Sequence, residues 1–114
     1  MVSRSIVPMF AATLVFVSLS TAAKAEDIVT YETTLKGNVF TVPEIKVPAG
    51  KPFIIKLTNT NAAAAELEAK DLQIEKPVAA NSQIVVRVKA MPAGKYLFVD
   101  EYQEDVAKGF VVIE

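Results

Sequence analysis

The sequence predicts an all-β protein, a small sandwich of about seven short antiparallel strands. Apolar and polar residues alternate with a period of two in several segments, and no apolar stripe with helical spacing competes with them. Turn-forming residues interrupt this alternation about every 8–12 residues. Short strands joined by turns, without helical spacers, are typical of β-sandwich domains.

The front half of the domain contains three predicted extended segments. Gly37 and Asn38 form a turn signal after the first of them, and a proline- and glycine-rich turn at 48–52 follows the second. Pro43 weakens the middle of the second segment as a strand, because proline has no backbone N–H to donate to a neighbour. The predicted segments are 31–36, 39–47 and 53–59.

The back half contains five further predicted segments, two of them short. The alanine run at 62–65 favours a helical turn because alanine has the highest helix propensity. Turns are predicted at 79–81 and 91–94, and an acidic loop at 101–108 joins the last two strands. The predicted segments are 66–68, 72–76, 82–89, 95–100 and 109–114.

Residues 1–25 have the features of a secretory signal peptide. Arg4 precedes an apolar run at 6–19, and Ala23-Lys24-Ala25 has the small-x-small pattern of a cleavage site. The run is shorter than the roughly 18–20 apolar residues that span a bilayer, so cleavage is favoured over a membrane anchor. We therefore expect an exported domain of residues 26–114, and export without cysteine suits a bacterial periplasm.

The composition excludes several classes of function. The chain has no His and no Cys, so it has no thiol nucleophile, no Ser-His-Asp triad and no His- or Cys-ligated metal site. A formal net charge of -1 argues against nucleic acid, which selects a basic surface. Carboxylates, amines, hydroxyls and amides remain for any chemistry.

Two acidic groups stand out in the predicted domain. Because side chains alternate along a strand, Glu66 and Glu68 share one face, and Asp100 ends the strand just before the acidic loop. Clustered carboxylates repel one another unless a proton or a cation relieves them, and hard cations prefer oxygen ligands. The candidate metal ligands are Glu66, Glu68, Asp100, Glu101 and Glu104.

A simpler interpretation is also open, and spacing alone favours it. Runs of charge are usually solvated faces, and nearby lysines can neutralise part of these acidic groups. The aromatic residues are likewise interpreted as core rather than as a ligand platform, because buried rings stabilise small sandwiches. They are Phe40, Phe53, Tyr96, Phe98, Tyr102 and Phe110.

Four short motifs resemble the cupredoxins. They are VPAG at 47–50, LTNT at 57–60, PAGKYLF at 92–98 and GFVVIE at 109–114. LEAKDL at 67–72 and DEYQEDVAKG at 100–109 make the chain more similar to one branch, the small periplasmic cupredoxin-like proteins associated with bacterial iron uptake. The resemblance covers about residues 28–114 and implies a Greek-key β-sandwich.

The resemblance also shows what this chain lacks. Asp100 or Glu101 stands where the copper-binding Cys of a cupredoxin would be, and Gln103 stands where the family's final loop usually has His. No residue near 64–68 replaces the first His. A type 1 copper centre needs two His and one Cys, so this chain cannot form one.

The favoured hypothesis is an exported cupredoxin-like accessory protein of metal uptake, with iron or another divalent cation held weakly by carboxylates. Its partners would be components of a membrane metal-uptake system. The alternative is a metal-free periplasmic interaction module on a degenerate cupredoxin scaffold. An enzyme is disfavoured: a ferroxidase needs an electron acceptor, and the chain shows no second redox centre. No residue pattern specifies an oligomeric state.

Overall fold

The computed structural model describes residues 13–15 and 27–114. The predicted signal peptide therefore lies outside the described residues, except for positions 13–15. Every strand of the described residues lies within 27–114. The same range contains two single-turn 3-10 helices, at Lys70–Leu72 and Glu101–Gln103. No helix among the described residues is long and apolar enough to cross a membrane.

The strands form two sheets that enclose one core. The four-stranded sheet has the order β2-β1-β4-β7, and the five-stranded sheet has the order β3-β9-β8-β5-β6. The chain passes from one sheet to the other repeatedly, as a Greek-key sandwich requires. The strands are β1 (Thr30–Lys36), β2 (Val39–Phe40), β3 (Glu44–Val47), β4 (Phe53–Asn59), β5 (Ala65–Ala69), β6 (Ile74–Val78), β7 (Ser82–Val88), β8 (Gly94–Asp100) and β9 (Lys108–Ile113).

The all-β sandwich is confirmed, but the prediction of purely antiparallel sheets was wrong. Strand β1 pairs with β4 in parallel, and β3 pairs with β9 in parallel. The other pairings are antiparallel. Alternation along a strand specifies which side chains face the core, whereas the neighbour of that strand depends on the crossover connections.

Pro43 explains one of the extra strands. The predicted segment 39–47 divides into β2 in one sheet and β3 in the other, and the residues between them carry the chain across. The hydroxyl of Thr33 stabilises this crossing, since it donates to the Val42 carbonyl and accepts from the Val42 N–H. The proline that weakens the segment therefore marks a change of sheet.

Two local predictions were also wrong. The alanine run forms bends followed by the start of β5, with no helical turn. The strand predicted from residue 72 begins at Ile74, because Lys70–Leu72 forms a 3-10 helix that Gln73 ends with a φ of 56°. In both places the pairing of β5 with β6 overrides local propensity.

The core lies between the sheets and is built on aromatic rings. Phe40 of the four-stranded sheet meets Phe98 of the five-stranded sheet edge to face, with ring centroids 4.9 Å apart. Phe53 is also fully buried, as predicted. The prediction was wrong for Tyr102, which is 64% exposed in the loop after β8, and Phe110 points outward and is only half-buried. The alternation of β9 places Val111, rather than Phe110, in the core.

Candidate functional site

The acidic residues of β5 lie on the outer face of the five-stranded sheet. Ala65, Leu67 and Ala69 point into the core and are buried, so Glu66 and Glu68 point outward. Strand β6 lies on one side of β5, and the 3-10 helix Glu101–Gln103 follows β8 on the other side. Acidic side chains from these three elements therefore face the same patch of solvent-accessible surface.

Three carboxylates converge there, and we call Glu66, Glu75 and Glu101 the carboxylate cluster. One oxygen from each of them lies within 4.8 Å of the others. Glu66 and Glu101 were predicted as candidate ligands, whereas Glu75 was not. Glu75 is opposite Glu68 in the β5–β6 register, which brings it beside Glu66. That hairpin pairing is the signal that would have identified it.

The cluster binds protons more strongly than isolated carboxylates do. Three main effects raise the pKa of Glu101 to about 7: the largest is its hydrogen bond with Glu66, the next is its hydrogen bond with Glu68, and the third is desolvation. The hydrogen bond with Glu66 also raises the pKa of Glu75, and Glu101 in turn lowers the pKa of Glu66. Glu66 is thus the main acceptor, and protonation is favoured at Glu101 and Glu75 relative to isolated carboxylates.

One carboxylate oxygen of Glu101 lacks a hydrogen-bond donor among the described residues. Its Oε2 atom is buried, and no N–H or O–H group in the described part of the chain donates to it. The acidic groups around it are themselves carboxylates, so a shared proton or a cation would satisfy it. Tyr102 borders the cluster, and its hydrogen bond with Glu66 raises the pKa of the phenol.

Glu68 occupies an intermediate position. It contributes to the raised pKa of Glu101, but its Oε1 also forms an ion pair of 3.4 Å with Nζ of Lys70. The lysine is exposed, so the pair is weak and leaves Glu68 free to turn toward the cluster. Glu68 is therefore the nearest further carboxylate to the three that converge.

Asp100 has a different role from the one that the sequence predicted. Its side chain is 3% exposed and lies on the core side of β8 with Phe98. Oδ1 accepts hydrogen bonds from the backbone N–H of Glu66 at 3.1 Å and of Tyr102 at 3.2 Å, and Oδ2 accepts from Gln103 Nε2 at 2.8 Å. Asp100 thus fixes β5 against the loop and positions the cluster without joining it.

Comparison with known proteins now identifies the family. The sequence model of the cupredoxin-like domain matches residues 9–113. This chain belongs to the cupredoxin-like family. An uncharacterized protein of Rickettsia prowazekii (strain Madrid E) is 25% identical over 107 residues, which cover 92% of this chain and 86% of that protein.

Solved cupredoxin-like structures share the fold. The metal binding domain of the Cu(I) exporting P-type ATPase CopA of Streptococcus pneumoniae D39 aligns with a TM-score of 0.69 and 15% identity, covering 78% of this chain and 89% of that one. Auracyanin A, a blue copper protein of Chloroflexus aurantiacus, aligns with a TM-score of 0.66 and 18% identity, covering 77% and 100%. At these identities the likeness establishes the fold, and it confirms the predicted cupredoxin-like sandwich.

This cupredoxin-like domain has neither His nor Cys, so a type 1 copper centre does not fit it. Gln103 instead forms hydrogen bonds at this end of the sandwich. Its side-chain amide donates to the Gly37 carbonyl at 3.0 Å as well as to Asp100, so it joins the loop after β8 to the turn between β1 and β2.

Glu104 lies apart from the carboxylate cluster. It is exposed at the C-terminal end of the 3-10 helix Glu101–Gln103, and it borders a shallow depression floored by Leu97 and Val99. Asp105 and Lys108 line the same depression. The loop turns back toward β9 after Gln103, and this turn carries Glu104 away from Glu66.

Raising the pH from about 5 to about 8 is expected to lower the melting temperature of the cation-free domain. Because the pKa of Glu101 is raised from 4.5 to about 7, the folded state binds more protons than the unfolded state in that window. The stabilisation is complete below the unfolded pKa and is lost as the pH rises through about 7. Glu75 acts in the same direction and Glu66 in the opposite one.

Circular-dichroism melts in EDTA measure this dependence. Glu101→Gln should flatten the slope, whereas Glu32→Gln, on the outer face of the other sheet, should leave it unchanged. A melting temperature that rises across the range, or an unaltered slope in Glu101→Gln, would contradict the assignment.

Proposed function

We propose that this cupredoxin-like domain is an exported accessory protein of metal uptake that holds a hard cation, most directly iron, at the carboxylate cluster. The observation that carries the proposal is the convergence of three carboxylates from β5, β6 and the loop after β8 within 4.8 Å. Like charges at that spacing destabilise one another, and a divalent cation relieves the repulsion of all three at once.

The donor chemistry indicates which cations fit. Only oxygen ligands are available at the cluster, and carboxylate oxygens suit iron, manganese and calcium better than soft Cu(I), which prefers thiolates and thioethers. The buried, unpartnered Oε2 of Glu101 supplies a ligand atom that gains most from a cation. Glu68, once released from Lys70, would be a fourth carboxylate.

The protonation state of the cluster favours weak, reversible binding. The pKa of Glu101 is raised to about 7 and that of Glu75 is also raised, so a cation competes with a proton for Glu101 at neutral pH. Reversible binding suits a protein that delivers its cation rather than stores it. The receiving partner would be a component of a membrane metal-uptake system, as the resemblance to the iron-uptake branch implies.

Uptake of radioactive iron by cells tests this function. Deletion of the gene should lower the initial rate, and the wild-type chain should restore it. Glu75→Gln should fail to restore it fully, since it removes one ligand from an exposed position. Glu32→Gln is the matched control, because Glu32 lies on the outer face of the other sheet and pairs there with Lys56. Iron uptake that is unchanged by the deletion would overturn the proposal.

A further inference from the structure

The outer face of the five-stranded sheet has an apolar centre. Leu97 is 42% exposed there, and its cross-strand neighbour Phe110 is half-buried. Val112, which is half-buried, and Val99, which is only 7% exposed, continue this patch along the same two strands, on the same face. We call these four residues the apolar stripe; they are Leu97 and Val99 of β8, and Phe110 and Val112 of β9.

Strands of this composition normally have both faces covered. Sandwich strands with one solvated face alternate apolar and polar residues, whereas strands covered on both faces consist of continuous apolar runs. In β8 and β9 the runs YLFV and FVVI are continuous. The outer face of the four-stranded sheet is more mixed: Ile54 and Val85 point outward there, but each lies opposite a charged residue, Arg87 and Lys56 respectively. The direct cross-strand pair of Leu97 and Phe110 distinguishes the apolar stripe from it.

Charges of opposite sign flank the apolar stripe at opposite corners. Lys46 of β3 and Lys95 of β8 both lie opposite Val112 in register, and we call these two lysines the basic corner. Nζ of Lys95 lies 4.2 Å from the centroid of the Phe110 ring. The carboxylate cluster lies at the other corner, beyond Val99, where its three glutamates and Glu68 outnumber the nearby lysines Lys70 and Lys108. Glu44 of β3 lies between the corners, opposite Phe110.

We propose that a second copy of this chain docks on this face in a two-fold symmetric dimer, apolar stripe against apolar stripe. A two-fold axis that lies in the plane of the interface, and crosses the stripe midway between the two corners, places the basic corner of each copy over the carboxylate cluster of the other. Such a face is self-complementary, as an isologous interface requires. A different partner whose surface has one dominant charge would be complementary to only one of the two corners, because like charges across an interface are unfavourable.

The size of the face sets the expected affinity. Five strands about 4.8 Å apart and about six residues long present roughly 500 Å² on each copy. Two copies then bury about 1,000 Å², which is at the small end of specific interfaces and typical of weak, transient complexes, so we expect a dissociation constant in the micromolar range or weaker. The monomer and the dimer should therefore exchange readily.

Sedimentation velocity across about 1 µM to 1 mM tests the dimer, with the chain expressed from its full sequence and purified as the cell processes it. The wild type should pass from monomer to dimer. Leu97→Glu should raise the dissociation constant by about tenfold or more, because it places a charge at the centre of the interface. Val85→Glu is the matched control, since Val85 is 59% exposed on the outer face of the other sheet.

A charge exchange tests whether the second copy is the occupant. Lys95→Glu and Glu75→Lys should each weaken self-association, whereas an equimolar mixture should form a mixed dimer more tightly than either variant alone. EDTA is present throughout, so the result is independent of any cation. A wild type that stays monomeric, a Leu97→Glu variant that associates normally, a Val85→Glu variant equally impaired, or a mixture without mixed dimers would each overturn the proposal.

Discussion

Gly109→Ala is expected to destabilise the fold by about 3 kcal/mol, since overpacking without room to relax costs about this much. A Cβ atom at this position would lie 2.6 Å from the Pro43 carbonyl oxygen and 2.8 Å from Cε2 of Phe98. The Pro43 oxygen cannot retreat easily, because it accepts a hydrogen bond of 2.8 Å from the Phe110 N–H. Phe98 is fixed against Phe40 in the core.

Urea unfolding of the wild type and Gly109→Ala measures this cost. Gly94→Ala, in the adjacent strand β8, is the matched control: its Cβ would approach only the Tyr96 ring, at 3.3 Å. We expect it to change the free energy of unfolding by less than about 1 kcal/mol. Equal effects of the two substitutions would contradict the close contact of β9 with β3 and β8, on which the outer face depends.

Asp100→Ala is expected to cost about 2–4 kcal/mol, because it removes hydrogen bonds to a buried charged group. Its carboxylate accepts three hydrogen bonds, two from backbone N–H groups and one from Gln103. Without it, the Glu66 N–H loses its acceptor and β5 loses its attachment to the loop that carries Glu101. The variant should therefore weaken cation binding as well, although Asp100 is not one of the converging carboxylates.

Asp105→Ala separates this effect from a general loss of charge. Asp105 is exposed in the same loop, and its removal should change the free energy of unfolding by less than about 0.5 kcal/mol. Thermal or urea unfolding of both variants provides the comparison. If Asp100→Ala is as stable as Asp105→Ala, the three hydrogen bonds do not hold the loop in place.

The sequence was most informative where one face of a strand is buried. The alternation within the predicted segment 53–59 agrees with the structure, since Phe53, Ile55 and Leu57 share the buried face of β4. Alternation could not predict which strands pair or in which direction, because it is the same for parallel and antiparallel neighbours. The change of sheet at Pro43 was visible only as a weakened strand.

The candidate site was predicted only in part, because alternation along a strand does not specify the register with its neighbour. Glu66 and Glu68 were placed correctly on one face, but Glu75 reaches Glu66 only through the β5–β6 register. The alternation along β8 could have placed Asp100 on the core side. It lies on the same side of β8 as Tyr96 and Phe98, which is the core side, whereas Glu66 points away from the core. Residues in loops, such as Glu104, have no such periodicity to place them.

The most direct test of the carboxylate cluster as a cation site is a titration with Mn(II) followed by the amide resonances of the nitrogen-labelled domain. Mn(II) broadens nearby signals, so the amides of Glu66, Glu75 and Glu101 should disappear first, at substoichiometric Mn(II). Those of Val85 and Arg87, on the other sheet, should persist. Glu75→Gln should require about tenfold more Mn(II) for the same broadening, since it removes one of three ligands. Broadening spread evenly over the exposed acidic residues, or none at millimolar Mn(II), would contradict the account.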